Sequence, residues 1–354
     1  MKCWMQLGRT LTAVAGLAFS LAWLSVSARA ADSTDGWARF RGPNGSGLVE
    51  TPGLPATWAE SDYRWKVDLP GAGHSAPVIW GARLFVTSGD EETGTRFVRC
   101  LNTADGATLW SREFTAEAHK KHKFNSFASS TPAVDARHVY ISWATPEQLV
   151  VAALDHDGKE IWKRDLGPYP GGHGSGSSPI VFDDLVILAN DKAGPSFIVA
   201  LDAASGADRW KLDRRGSRAS YSTPCVYQPA RQAPQLIFTE WEQGISGVDP
   251  KTGKLLWERD VFGEDEEKRS IGSPVIAGEL VIGTCGFAKG KKFVVAVKPT
   301  ASAANRTATS AADKLAEVQE VYRLDKISPH IPTPLVKGNK YLLTLRHLGV
   351  CSSK

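Results

Sequence analysis

The 354-residue chain is poor in cysteine, has no large excess of charge of either sign, and carries only one long apolar run. Of its five cysteines Cys3 lies near the start, and Cys100, Cys225, Cys285 and Cys351 fall far apart with no close pair. Four cysteines allow a bridge in an oxidising compartment, but such dispersed positions favour buried thiols over a disulfide framework. Lys and Arg number 42 against 38 Asp and Glu, and setting aside Lys2, Arg9 and Arg29 leaves a net charge of about +1. That balance excludes a nucleic-acid partner, which would need a basic excess. No nucleophile with an adjacent base and no complete set of metal ligands stands out, so nothing in the spacing points to catalysis.

Residues 1–30 read as a signal peptide. Lys2 and Arg9 give a basic start, Leu11 to Val26 an apolar stretch, and Ala28-Arg29-Ala30 a small-x-small cleavage site. The apolar stretch is shorter than the ~20 residues a span needs, so cleavage after Ala30 is expected, leaving a periplasmic or secreted protein with no membrane span. Cys3 lies in the basic region and not after the apolar run, so it is no lipid-attachment site. Residues 31–64 form a lead-in ahead of the repeats.

What the chain has in abundance is a repeat. Trp65, Trp110, Trp162, Trp210 and Trp257 each end a short apolar run, at spacings of 45, 52, 48 and 47 residues. Four residues before the last four stand Gly106, Gly158, Gly206 and Gly253, and ahead of each glycine stands Asn102, Asp155, Asp202 or Asp249. This is strand, Asx turn, strand: the side chain caps its own turn and glycine supplies a positive φ. A second signature runs in register: Ser75-Ala76-Pro77, Ser130-Thr131-Pro132, Ser177-Ser178-Pro179, Ser222-Thr223-Pro224, Gly272-Ser273-Pro274 and Pro332-Thr333-Pro334, each opening an alternating apolar strand. Proline at the head of a strand removes no ladder donor. Units of this length with about four strands cannot bury their own faces, so they stack as the blades of a propeller. The fold class is therefore all-β, a β-propeller of four-stranded blades over residues 65–354. About six blades are recognisable, the last of which lacks a closing tryptophan. Trp65-Lys66-Val67 reads as an outermost strand without inner strands before it. The tryptophans themselves are packing residues.

The Asp-x-x-x-Gly-x-x-x-Trp repeats resemble those of the pyrroloquinoline-quinone-like β-propeller superfamily. It includes quinoprotein alcohol dehydrogenases and the propeller subunit of the outer-membrane protein assembly machinery. Trp37-Ala38-Arg39-Phe40-Arg41-Gly42-Pro43-Asn44-Gly45-Ser46-Gly47 and His173-Gly174-Ser175-Gly176-Ser177-Ser178-Pro179 are similar to a narrower group of exported propellers from planctomycete-like bacteria. That resemblance implies an eight-bladed ring whose first outer strand comes from the N-terminal segment. It also implies that this chain is C-terminally truncated by about two blades, on the order of 70 to 100 residues.

Sites in propellers gather where the loops entering the inner strands converge. His74, Asn125, His173, Arg218, Arg269 and His330 stand one per repeat, three to seven residues before the strand-opening proline. Such a funnel suits an anionic or carbohydrate ligand, with arginine giving forked donors to carboxylate or phosphate. Solvated loop residues are the plain alternative. His119 and His122 have metal-pair spacing on a helix but no third ligand. Glu264 to Arg269 reads as a solvated connection, and Ala301 to Ala312 as a mobile insertion. Asn190, Asp191 and Glu240 fall at the same end as the funnel. The expected function is a non-enzymatic scaffold of the cell envelope that binds a protein or glycan ligand. A quinoprotein dehydrogenase holding pyrroloquinoline quinone with calcium is the enzymatic alternative. The resemblance would then imply an adjacent cysteine pair, and none is present. A carbohydrate-active enzyme would need paired carboxylates or a His-rich metal site.

Overall fold

The computed structural model describes residues 36–353 except 231, 264–268, 287–289, 301–314, 326–328, 339 and 346–348. The expected signal peptide, the Ala301–Ala312 stretch and the acidic part of the Glu264–Arg269 run lie outside the described residues. Blade 1 comprises β1 (Val78–Trp80), β2 (Arg83–Gly89), β3 (Arg96–Asn102) and β4 (Thr108–Phe114). Blade 2 comprises β5 (Ala133–Val134), β6 (His138–Ala144), β7 (Leu149–Asp155) and β8 (Glu160–Asp165). In blade 3 the strands are β9 (Ile180–Phe182), β10 (Leu185–Asn190), β11 (Ser196–Asp202) and β12 (Asp208–Arg214). Blade 4 follows with β13 (Cys225–Tyr227), β14 (Gln235–Glu240), β15 (Gly244–Val248) and β16 (Leu255–Arg259). Blade 5 has β17 (Val275–Ala277), β18 (Leu280–Gly286), β19 (Lys292–Pro299) and β20 (Val318–Asp325). A sixth sheet of three strands, β21 (Leu335–Lys337), β22 (Lys340–Leu345) and β23 (Gly349–Ser353), completes the described set. Each sheet is an antiparallel meander, and the repeat reading of an all-β propeller with about six blades holds.

The turn chemistry explains the repeat. Asn102 Oδ1 accepts the Ala104 N–H at 2.9 Å, and Asp155, Asp202 and Asp249 accept backbone N–H groups two residues on at 3.0, 3.1 and 2.8 Å. The glycine that follows has φ between 70° and 84° in all four turns. A Cβ there would also strike an indole. At Gly106, Gly158, Gly206 and Gly253 it would come within 2.5–2.7 Å of the ring of Trp65, Trp110, Trp162 and Trp210 respectively, each from the preceding repeat. The same four indole N–H groups donate to the carbonyls of Thr103, His156, Ala203 and Pro250 at 2.8–3.0 Å. Each tryptophan is thus a key that fits the next repeat's turn.

Two details differ from the expectation. Trp65-Lys66-Val67 is not part of a strand, since no described sheet offers it a ladder, yet Trp65 docks on Gly106 as an outer-strand tryptophan does. In blade 5 the tryptophan position is held by Tyr322, opposite Ala296, as Trp210 stands opposite Ala200. Trp257 is wholly buried and donates to Gln235 Oε1 of its own blade at 2.6 Å.

The Ser/Thr-Pro signature has its own cause. The residue before each proline donates its N–H to the hydroxyl of its counterpart one blade on: Ala76 to Thr131, Thr131 to Ser178, Ser178 to Thr223, Thr223 to Ser273, and Ser273 to Thr333, all at 2.9–3.1 Å. This belt ties the entries of the inner strands together. Apolar layers fill the spaces between neighbouring blades, for example Tyr140, Val151, Leu188 and Val199 between blades 2 and 3. Cys100, Cys225 and Cys285 are buried thiols, as expected, and burial pushes Cys100 up to about 11 and Cys225 to about 12. No helix among the described residues is long and apolar enough to cross a membrane.

The lead-in threads the hub. The carbonyls of Trp37 and Ala38 accept from Ile79 and Val134 on the inner strands of blades 1 and 2, at 2.8 and 2.9 Å. Asn44 exchanges two hydrogen bonds of 2.7 Å with the Val226 backbone in blade 4, and buried Arg39 donates to the Pro224 carbonyl. Arg41 donates to the carbonyls of Thr333 and Pro334 at the entry to blade 6, at 3.3 and 2.6 Å. Inner strands have an open edge toward the axis, and residues 37–47 satisfy it.

Candidate functional site

The meander sets which loops share a face: entries to inner strands lie with the ends of second strands and the starts of third strands. Of the six funnel candidates, His173, Arg218 and Arg269 come together on this face, joined by His122. The imidazoles of His122 and His173 stack with centroids 5.2 Å apart and planes inclined by 5°. Arg269 is anchored by a 2.9 Å bond from Nη1 to the Ala219 carbonyl, beside Arg218. Partial burial, then Arg269, His122 and Arg218 in that order, hold His173 below the ordinary histidine range. Each of these described neighbours favours its neutral form.

The other candidates have structural partners. Asn125 is a clamp: its amide donates to the His173 and Ser175 carbonyls at 2.6 and 3.2 Å, and its oxygen accepts from Ser126 N–H and the Ser129 hydroxyl. His74 pairs through Nδ1 with the Ser126 hydroxyl at 3.0 Å. His330 stands half-buried at the entry to blade 6, beyond the run of blades 2 to 5 that forms the cluster. The metal-pair idea for His119 and His122 fails on geometry. They lie on a loop, with His119 against Phe127 at 4.9 Å while His122 turns to His173. Among the described residues no group of three or more His, Cys, Asp or Glu side chains is placed to hold a metal.

Behind the mouth lies a buried polar core for which the sequence carried only a faint signal, the position of Asn190, Asp191 and Glu240 at strand ends. Asp191 receives Arg214 Nε at 2.8 Å with both side chains nearly inaccessible. Burial pushes the Asp191 carboxyl up, and Arg214 opposes that shift. Glu240 Oε2 accepts the N–H groups of Glu242 and Gln243 at 2.7 and 3.2 Å. Burial, and then Asp191, push Glu240 up to about 8. Glu240 is therefore a protonated acid at neutral pH, and the Asp191–Arg214 pair is neutral as a unit. Buried Tyr169 and half-buried Tyr221 are both within electrostatic reach of Arg269, and Tyr169 is also within reach of Asp191.

Blades of this construction, joined by a tryptophan-on-glycine lock, define a repeat propeller. The sequence profile of the family described as outer membrane protein assembly factor BamB matches residues 95–324, and the chain belongs to this PQQ-like propeller family. It is similar to polyvinylalcohol dehydrogenase of a Pseudomonas species, 24% identical over 66% of this chain and 41% of that protein. Similarity to 1-butanol dehydrogenase (cytochrome c) of Thauera butanivorans is 30% over 40% of this chain and 21% of that protein. The matched regions thus span less than half the length of these relatives. Among solved structures, BamB from Moraxella catarrhalis superposes with a TM-score of 0.51 at 20% identity, covering 82% of this chain and 74% of that one, a likeness of fold.

Proposed function

We propose that this protein is a non-enzymatic binding propeller of the cell envelope, exported by its leader, whose mouth over blades 2 to 5 captures an anionic group. The observation that carries this reading is the cluster of His122, His173, Arg218 and Arg269, in which the described groups acting on His173 are two guanidinium groups and a second imidazole. Guanidinium groups held by the backbone are pre-aimed donors for carboxylate, sulfate or phosphate. Of the carboxyl groups behind the cluster, Asp191 is engaged by Arg214 and Glu240 keeps its proton.

The names of the similar dehydrogenases favour a second reading, oxidation of an alcohol with a quinone bound in the channel. The residues present do not fit a calcium-bound quinone. Residues 37–47 are bonded to the inner-strand edges of blades 1, 2, 4 and 6, and the Asp191 carboxylate is taken by Arg214. Asp191 and Glu240 are both enclosed and offer no accessible carboxylate pair for glycoside hydrolysis.

Titration calorimetry with inorganic sulfate at low ionic strength tests the binding reading. Wild type is expected to bind, and Arg218→Gln with Arg269→Gln to bind at least tenfold more weakly, while His119→Ala is unchanged. Sulfate binding that survives the double substitution contradicts the reading. So does a stoichiometric chromophore, with alcohol-dependent dye reduction, after incubation with the quinone and Ca²⁺.

A further inference from the structure

The junctions between successive blades close on pairs of aromatic rings. The last residue of an inner strand and the closing ring of the outer strand share one apolar layer: Trp80 with Trp110 between blades 1 and 2, Phe182 with Trp210 between blades 3 and 4, and Tyr227 with Trp257 between blades 4 and 5. In blade 2 the short inner strand runs into Asp135, and Tyr140 supplies the ring instead, 6.0 Å from Trp162.

The junction between blades 5 and 6 departs from this pattern. The ladders align blade 5 on blade 3: Ala277 stands opposite Leu280 as Phe182 does opposite Leu185, Val294 opposite Thr284 as Ile198 opposite Ala189, and Tyr322 opposite Ala296 as Trp210 opposite Ala200. At all three positions blade 5 has the smaller side chain, a methyl group in place of the Phe182 ring being the largest loss. Here lies a cavity of about 380 Å³, bordered by Ala277, Ile282, Val294, Ala296, Tyr322 and Tyr341. That volume falls within the range of small-molecule sites. Tyr322, 43% exposed, and the exposed Lys340 also border it and mark its opening to solvent.

On the blade 6 side Tyr341 pairs with Val336 as Leu236 pairs with Val226 in blade 4, so a phenol stands where the packed junction has an aliphatic side chain. The Tyr341 hydroxyl is buried and has no hydrogen-bond partner among the described residues. Such a group keeps the full cost of its lost hydration until something bonds to it. What this layer lacks is the volume of a flat ring with one polar atom on its edge.

We propose that the cavity between blades 5 and 6 binds a small planar aromatic molecule with one hydrogen-bonding group, of the phenol or indole class. Its ring occupies the layer that Phe182 and Trp210 fill between blades 3 and 4, and its polar group bonds to the Tyr341 hydroxyl. The site is separate from the mouth and does not depend on the reading of it.

The test is calorimetry on the full mature protein with phenol, indole, toluene and cyclohexanol. Phenol and indole are expected to bind at a single site, toluene more weakly, and cyclohexanol not at all. Tyr341→Phe should weaken phenol about fivefold, the usual worth of one net hydrogen bond, and leave toluene unchanged. Ala277→Phe restores the ring that blade 3 carries and should abolish binding of all the probes while keeping a cooperative thermal transition. Should Ala277→Phe fail to fold, the comparison of phenol in wild type and Tyr341→Phe decides alone. Wild type that binds neither phenol nor indole overturns the proposal, as does undiminished binding in folded Ala277→Phe. Cyclohexanol bound as tightly as phenol, or phenol bound equally by wild type and Tyr341→Phe, shows an unselective void and overturns it too.

Discussion

A carboxyl group enclosed as Glu240 is, next to the Asp191 carboxylate, ionises against both burial and a like charge. Its ordinary value is 4.5, and in the fold it lies at about 8. Between these values the folded protein holds a proton that the unfolded chain has lost, so stability falls as pH rises through that window. Asp191, also pushed up by burial, acts in the same direction. Chemical denaturation at pH 5, 6, 7, 8 and 9 should show the decline, and Glu240→Gln, which mimics the neutral acid, should flatten most of it. A decline of equal size in the variant would show that Glu240 titrates in its ordinary range. Nothing in the local sequence of Glu240 announces this, because burial is imposed by blades 3 and 4 together. The same limit applies to His122, whose stacking partner lies 51 positions away in the next blade's entry loop, between the paired numbers 122 and 173. His173, Arg218 and Arg269 were legible because their offset from the proline is a local feature.

At the scale of the element, turns and strands were readable and their partners were not. Asp202 caps its own turn, a bond between neighbours in sequence. The Ser/Thr-Pro signature is visible as a repeat, but its hydroxyls serve the preceding blade, so their role emerges only once the blades are packed. Thr223 shows the consequence: its hydroxyl accepts the Ser178 N–H at 3.1 Å, with the residue 2% exposed. Thr223→Val keeps the shape and orphans a buried N–H, which costs about 1–3 kcal/mol. Gly206→Ala meets two penalties at once, a φ of 70° and the Trp162 ring 2.6 Å from the new Cβ. It should destabilise by more than the ~1 kcal/mol typical of a left-handed residue alone. Urea unfolding of both variants checks these values, and wild-type midpoints would contradict the belt and the lock. Tyr322 escaped the tryptophan pattern because the element tolerates any large ring opposite a small residue, here Ala296.

For the whole molecule, the period of about fifty residues was enough to predict blades, since four-stranded units of that length must share their apolar faces. The plug was not predictable. Residues 37–47 belong to no repeat, and their bonds reach inner strands as far away as Val226 and Pro334. His122, His173, Arg218 and Arg269 lie where the inner-strand entry loops of blades 2 to 5 meet. The most direct measurement of that assembly is anomalous diffraction from crystals grown at low salt and soaked in selenate. A selenium peak within hydrogen-bonding reach of the Arg269 guanidinium and the His173 imidazole is expected. Selenate ordered elsewhere on the molecule, with none at this mouth, would contradict it.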